Sequence, residues 1–403
     1  MIRILLTCFV LLGFTMLTNC KSGDDPDPEN PENPENPENP EVPNVPEGFM
    51  FGADLSYVNQ ILDHGGVYKD EGTEKNPYQI FSEHGTNLVR LRLWHNPSWT
   101  KEVYDPEGDQ LYNDLYDVEE AIDQAKAQGM DVLLDFHYSD VWADPGTQRI
   151  PAAWEEITDL EVLKDSVYNY TFKVLSYLND KGLMPEMVQI GNETNCGMMY
   201  TDAPDLFPEL EVCDDNWANA GEVINRAIEA VNDVSEDTRI ILHVADPAHI
   251  EWWFGEMTSS GGVSNFDIIG ISYYPFWHDD VSINNLSAEI ASFKNQFNKD
   301  IMIVETAYPW TTDGDDNYNN IFGGDDPISG YPYTNQGQYD LITEITQEVI
   351  DGGGIGVIYW EPAWISSNMN DLWGTGSSWE NNAFFDFDGN ANQAMDWPGH
   401  MYE

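Results

Sequence analysis

From Gly48 onward, short apolar runs rich in β-branched residues alternate with longer stretches of helical period. The runs are Phe49–Leu55, Asn87–Trp94, Asp131–His137, Met187–Asn192, Arg239–Val244, Phe266–Tyr273, Ile301–Glu305 and Gly356–Trp360. Between them the 3.6-residue pattern predicts helices over Val118–Gln128, Leu160–Asp180, Trp217–Asp233, Leu286–Asn298 and Gln336–Ile350. Near-continuous apolar strands that alternate with helices imply a parallel sheet covered by helices. Eight such units predict the α/β class and a single (β/α)8 TIM barrel. A doubly wound open sheet is the competing architecture, but no Gly-rich phosphate turn follows the first strand, where nucleotide binders carry it.

The first 47 residues break this pattern. Residues 1–20 carry one cation, Arg3, then an apolar stretch too short to span a bilayer, ending Leu17-Thr18-Asn19-Cys20. This has the form of a signal peptide. Its terminal Cys resembles the lipidation site of bacterial lipoproteins, which implies an exported chain with lipid on Cys20. The following Lys21-Ser22-Gly23-Asp24-Asp25 resembles the acidic export tag of Bacteroidetes surface lipoproteins, so the expected location is the cell surface, anchored at the outer membrane. Residues 21–47 contain the repeat PENPENPENPE and read as an acidic, Pro-rich spacer that buries no core. The folded domain is therefore expected over 48–403, with the membrane touched only through the lipid and a monomer as the working unit.

Charge narrows the ligand. The chain holds 16 Lys and Arg against 72 Asp and Glu, a net charge of −56. Removing the first 47 residues leaves −49, so the acidity belongs to the domain itself. Nucleic acid is excluded, because a phosphate backbone needs a cationic footprint. The 14 Trp, 20 Tyr and 17 Phe exceed what a core needs and leave rings for a surface site, which suits a neutral ligand with stackable faces such as a sugar. Of four cysteines, Cys8 lies in the signal and Cys20 at its end. Cys196 and Cys213 remain, either as a local disulfide of an exported protein or as two free thiols.

In a barrel, function collects at the C-terminal ends of the strands. Those ends supply Asp54, Arg90, Arg92, Trp94, Asp135, His137, Asn192, Glu193, His243, Tyr273, Tyr274, Glu305, Trp360 and Glu361. Glu193 and Glu305 end the fourth and seventh runs and should open into one cavity. Alone, either could be a helix cap or a solvated strand end. Two on nearly opposite strands, amid aromatic rings, fit glycoside hydrolysis, where one carboxyl donates a proton and the other attacks or directs water. Arg90 and Arg92 share a face, and one of them near Glu305 would keep it ionised. Both could equally bridge Asp54 or Asp135 inside the barrel.

The segments GADLSYV, LVRLRLWHNP, LLDFHYSDVWADPGTQRIPAAW, QIGNETNCGM, GISYYPFWH, VETAYPW and VIYWEPAWI occur in this order. Together they resemble glycoside hydrolase family 53, the endo-β-1,4-galactanases of clan A, over roughly residues 48–390. The resemblance implies a retaining mechanism on the β-1,4-galactan side chains of pectin, with Glu193 as acid/base, Glu305 as nucleophile and Asn192 as partner of the sugar 2-hydroxyl. By the same resemblance His137, Tyr273 or Tyr274, and Trp360 shape the reacting subsite. Trp94, Trp142, Trp310 and Trp364 are candidate stacking platforms, or else pack beneath loops. If the strand continues through Tyr273 and Tyr274, only one of the two enters the site.

After Glu305, the loop TTDGDDNYNN sets Asp313, Asp315, Asn317 and Asn319 at alternate positions, a pattern suited to oxygen ligation of a hard cation. It lacks the closing Glu of an EF-hand. The family resemblance implies one structural calcium ion here, with Ser377 and Glu380 as distal contributors, set against a merely solvated acidic loop. Other clan A glycanases, acting on mannan or glucan, and a non-catalytic glycan-binding lipoprotein are the competing functions. The last expects one of the two glutamates to be lost, and both are present.

Overall fold

The computed structural model describes residues 45–403. The signal segment, Cys20 and nearly all of the acidic spacer lie outside the described residues. Eight parallel strands close into a barrel: β1 (Met50–Asp54), β2 (Leu88–Leu93), β3 (Asp131–Phe136), β4 (Met187–Ile190), β5 (Arg239–Ala245), β6 (Ile268–Ser272), β7 (Asp300–Glu305) and β8 (Gly356–Tyr359). Each pairs with its neighbours in chain order, and β1 meets β8. All eight expected runs are strands, their ends within two residues of those expected.

The helices begin where side chains can occupy orphan backbone donors. Asp159 accepts from the Glu161 amide and starts Leu160–Asp180, while Asp114 accepts from Tyr116 and Asp117 and starts Leu115–Ala127. Four further helices, Val58–Asp63, Pro77–Glu83, Trp99–Glu102 and Ile250–Ser259, are missing from the periodicity reading. The first three are too short for a clear period, and the fourth, IEWWFGEMTS, buries Ile250, Trp253, Phe254 and Met257 on one face but runs for only ten residues.

Side chains inside the barrel form layers. The lower layer is apolar: Leu88, Leu133, Met187, Ile241, Ile268, Met302, Val304 and Ile358 pack as one cluster. Above it, strand alternation turns Arg90, Arg92, Asp135, Gln189 and His243 inward, and all are buried. Alternation alone would send Glu305 outward, because Val304 already points in. The ladder corrects this. Ile271 pairs with Ile303 but Ser272 pairs with Glu305, so β7 carries one extra residue there and its final side chain turns back inward.

Cys196 and Cys213 are joined in a disulfide, with their Cα atoms 4.9 Å apart. The bond closes the loop that leaves Glu193, which settles the choice between bridge and free thiols.

Candidate active site

The backbone after β4 turns through two left-handed residues, Gly191 at φ 79° and Glu193 at φ 45°. A Cβ at Gly191 would stand 2.6 Å from the Thr194 methyl, so the turn needs glycine. It aims the Glu193 side chain across the barrel mouth toward Glu305. One oxygen of each carboxyl and a ring nitrogen of His243 lie within 4.8 Å of one another.

The two carboxyls have different partners. Glu305 receives Arg90 Nη1 at 2.8 Å on one oxygen and the Tyr274 hydroxyl at 3.0 Å on the other. Arg90 also donates to Asp54 at 2.9 Å, to Asp135 at 2.8 Å and to the Asn192 side-chain oxygen at 2.7 Å. Burial works against the guanidinium charge, and Asp135, Glu305 and Asp54 together outweigh it. Burial also lifts the Glu305 pKa, opposed by Arg90 and by the Tyr274 hydroxyl, with Asp54 and Asp135 adding to the rise. Glu193 lacks such a cation at contact. Burial, then the charge of Glu305, push it up to about 8, only partly offset by the Ser272 hydroxyl and the distant Arg90. The proton of the pair therefore belongs to Glu193, and Glu305 is the anion.

Asn192 is held on both sides of its amide, donating to the Ala143 carbonyl at 2.8 Å while its oxygen takes Arg90. His137 donates from Nε2 to Asp135 at 3.1 Å and accepts at Nδ1 from the Ala143 amide at 3.2 Å, and burial lowers its pKa. These contacts fix it as a neutral imidazole. A cavity of about 720 Å³ covers the mouth of the barrel, walled by residues from every strand or following loop except the first.

The sequence profile of glycosyl hydrolase family 53 matches residues 50–397. The chain belongs to glycosyl hydrolase family 53. Among its relatives, an arabinogalactan endo-β-1,4-galactanase of Cellvibrio japonicus is 42% identical over 84% of this chain and 86% of that protein. An endo-β-1,4-galactanase of Bacillus subtilis is 32% identical over 84% and 78%. Among solved structures, the family 53 catalytic domain of Ignisphaera aggregans superposes with a TM-score of 0.78 at 34% identity, covering 90% of this chain and 98% of that one. A fungal β-1,4-galactanase gives 0.72 at 30%, with coverages of 87% and 99%.

Within this family 53 barrel the aromatic residues sort into three groups. Trp142, Trp360 and Trp364 line the cavity as expected. Trp94 does not: it is wholly buried, edge-on to Trp142 and His137, and supports the wall from behind. Trp310 is also outside the cavity and packs on Phe387. Trp277, Trp373 and Trp379 line it although they were not singled out. Their signal was weak, because Trp277 lies five residues past its strand and the other two sit in a long loop after β8. Of the tyrosine pair, Tyr274 enters the site, while Tyr273 is buried behind it and donates to the Val281 carbonyl at 2.8 Å. Arg92 touches the cavity but is spent inward. Its guanidinium stands 3.9 Å from the Trp142 ring centre, 4.5 Å from Tyr57 and 4.7 Å from Trp94, and 3.2 Å from Glu361.

The loop after β7 departs from the expected parity. Asp313, Asp315, Asn317 and Asn319 are exposed, and the intervening Asp316, Tyr318 and Asn320 turn inward. The reason lies in the partners. Asp316 accepts from the Ser377 amide at 2.8 Å and from the Ser366 hydroxyl at 2.9 Å, and Tyr318 donates to Asp371 at 2.8 Å. Glu380 is buried, receives the Asp315 amide at 2.7 Å and shares the Ser366 hydroxyl with Asp316. Ser377 uses its hydroxyl on the Trp364 carbonyl at 2.7 Å.

Tyr274→Phe tests the anion assignment. Losing a hydroxyl that donates to a buried carboxylate should cost about tenfold to hundredfold in kcat/KM. Because Glu305 must be ionised to act, removing a donor raises its pKa and moves the acid limb of the kcat/KM profile to higher pH. An unmoved acid limb would assign the tyrosine to sugar contact alone.

Proposed function

We propose that this protein is a retaining endo-β-1,4-galactanase that hydrolyses internal bonds of the (arabino)galactan side chains of pectin. The carrying observation is the carboxyl pair at a separation within 4.8 Å, in a chain of glycosyl hydrolase family 53 whose named relatives are galactanases. That spacing falls on the side of retaining enzymes, about 5–5.5 Å, and well short of the roughly 6.5–9.5 Å that leaves room for water in inverting ones. Glu193 gives its proton to the glycosidic oxygen as Glu305 attacks the anomeric carbon, so the C–O bond breaks as an ester to Glu305 forms. Glu193, now ionised, takes a proton from water, which attacks the same carbon and frees Glu305. A cavity reaching across the barrel mouth suits cleavage within a chain, and a full site in one copy supports a monomer.

We further propose one structural calcium ion in the loop after β7, on a donor set one position out of phase with the sequence expectation. Asp316, Asn320 and Glu380 would hold it, with the Ser366 hydroxyl between the two carboxylates. The donors are all oxygen, which suits calcium. Asn320 Oδ1 is buried with no partner, and burial lifts the Glu380 pKa, a shift that a cation would reverse. When bound, the ion would supply charge neutralisation and fix the loop. The lipid anchor on Cys20 and an outer-membrane, cell-surface location complete the proposal, supported by the signal-like segment and acidic spacer.

Residues 48–403 incubated with linear β-1,4-galactan should release oligosaccharides of intermediate size first, with the β anomer in the earliest proton NMR spectra; products from mannan instead would redirect the substrate. Glu305→Ala should abolish turnover even of an activated aryl glycoside, whereas Glu193→Ala should keep the first step on it and stall at the second. Near-normal aryl turnover by Glu305→Ala would reverse the roles.

Chelation should lower the melting temperature and calcium should restore it. Glu380→Ala should lose that response, and Asp313→Ala should keep it. A melting point indifferent to chelator, with no calcium by metal analysis, leaves a solvated loop.

For the anchor, Cys20→Ala should move the protein from the membrane fraction to the soluble one at unchanged specific activity. Retention in the membrane would point to an uncleaved segment.

A further inference from the structure

Three buried groups beside the catalytic pair have no part in the mechanism above: Gln189, His243 and Ser272. His243 is fully buried on β5. Its Nδ1 lies 3.2 Å from the backbone nitrogen of Glu193, 3.0 Å from the Gln189 amide nitrogen and 3.0 Å from Asn192 Oδ1. Its Nε2 lies 2.8 Å from the Ser272 hydroxyl. Its carbonyl takes the Thr194 amide at 3.0 Å, so both its ring and its backbone grip the turn that carries Glu193.

A backbone N–H can only donate. Its approach to Nδ1 therefore makes that nitrogen the acceptor and leaves the ring proton on Nε2. Nε2–H then donates to the Ser272 oxygen. The hydroxyl proton of Ser272 is left free to point toward the Glu193 carboxyl, whose pKa the hydroxyl lowers. Protonating the ring would set an Nδ1–H against the Glu193 N–H. Burial, then the charge of Arg90, then His137, oppose that protonation. The other ionisable groups gathered around the ring are Glu193, Glu305 and Asp135, and the last is reached through Gln189 at 2.6 Å.

We propose that His243 and Ser272 are positioning residues for the acid/base: a neutral, Nε2-protonated His243 holds the left-handed backbone of Glu193 and directs the Ser272 hydroxyl onto its carboxyl. The hydroxyl accompanies Glu193 through both of its states. It contacts the acid before proton donation and donates to the carboxylate afterwards, so it eases loss of the proton and keeps the base aimed at water. This inference rests on Glu193 being the acid/base of a galactanase.

The test separates acid assistance from simple structural support. kcat/KM reports only steps through formation of the glycosyl-enzyme, and that step needs the proton of Glu193 only when the leaving group is poor. For Ser272→Ala we expect kcat/KM on galactan to fall about tenfold to hundredfold, and that on an activated aryl β-galactobioside to stay within about threefold. Loss of a donor to the carboxylate raises the Glu193 pKa. Because the acid must be protonated, the alkaline limb on galactan should move to higher pH. His243→Asn, which can still accept from the Glu193 amide but cannot reach Ser272, should reproduce the leaving-group pattern. Equal losses on both substrates with an unmoved alkaline limb, in a variant that melts like wild type, would overturn the proposal. Ser272→Ala is a small change that keeps the test open if His243→Asn does not fold. Failure of the functional reading itself looks different: wild type would then leave galactan intact.

Discussion

One guanidinium organises the mouth of this barrel. Arg90 is buried and bonded to Asp54, Asp135, Glu305 and Asn192, residues on or next to four strands besides its own. A buried arginine is tolerable only when its donors and charge are matched, and removing a partner leaves an uncompensated charge. This requirement ties the ends of β1, β3 and β7 and the turn after β4 to β2. Glu305 is thus placed by a charge constraint rather than by packing. The bulge in β7 is the backbone adjustment that lets Glu305 join the set.

Charge balance then determines where protons reside. Around the mouth, Arg90 and Arg92 face Asp54, Asp135, Glu193, Glu305 and Glu361, five carboxyls against two cations. Arg90 takes three of them at salt-bridge distance, and Arg92 reaches only Glu361, at 3.2 Å. The deficit falls on the groups with the poorest compensation. Burial and then Asp54 drive the Glu361 pKa far up against Arg92, and burial with Glu305 takes Glu193 to about 8. A carboxyl that stays protonated near neutral pH follows from too few cations around a crowded cluster of carboxyls.

Much of this was legible in the sequence, and the failures share a cause. The eight strands, the barrel and the glutamate pair follow from apolar runs and from what stands at their ends, because strand interiors obey a simple period. Glu305 was found by its place at the end of a run, although strict alternation would have turned it outward. Loops carry no period. Trp94, directly after β2, and Trp310, in the loop after β7, seemed as good as Trp142, yet one is walled in and the other packs on Phe387. Trp373, 64% exposed at the cavity edge, could not be told from them. In the acidic loop the alternation was real but its phase was open, and contacts more than fifty residues away, from Asp371, Ser377 and Glu380, chose Asp316, Tyr318 and Asn320.

The two arginines of β2 also explain how so acidic a chain can grip a neutral polymer. Two residues apart on one strand, they face the same side at successive heights. The lower, Arg90, holds the carboxyls. The upper, Arg92, lies between the rings of Tyr57, Trp94 and Trp142, and cation–π attraction is strongest where water is excluded. Its charge is thus used to stiffen Trp142, one of six tryptophans that wall the cavity. Neither cation is left free to attract an anion, so binding falls to flat apolar faces and to hydrogen bonds from groups already held in place. A sugar, apolar on its faces and hydroxylated at its edges, matches that surface. The charge network and the stacking wall are therefore one construction, joined through a single strand.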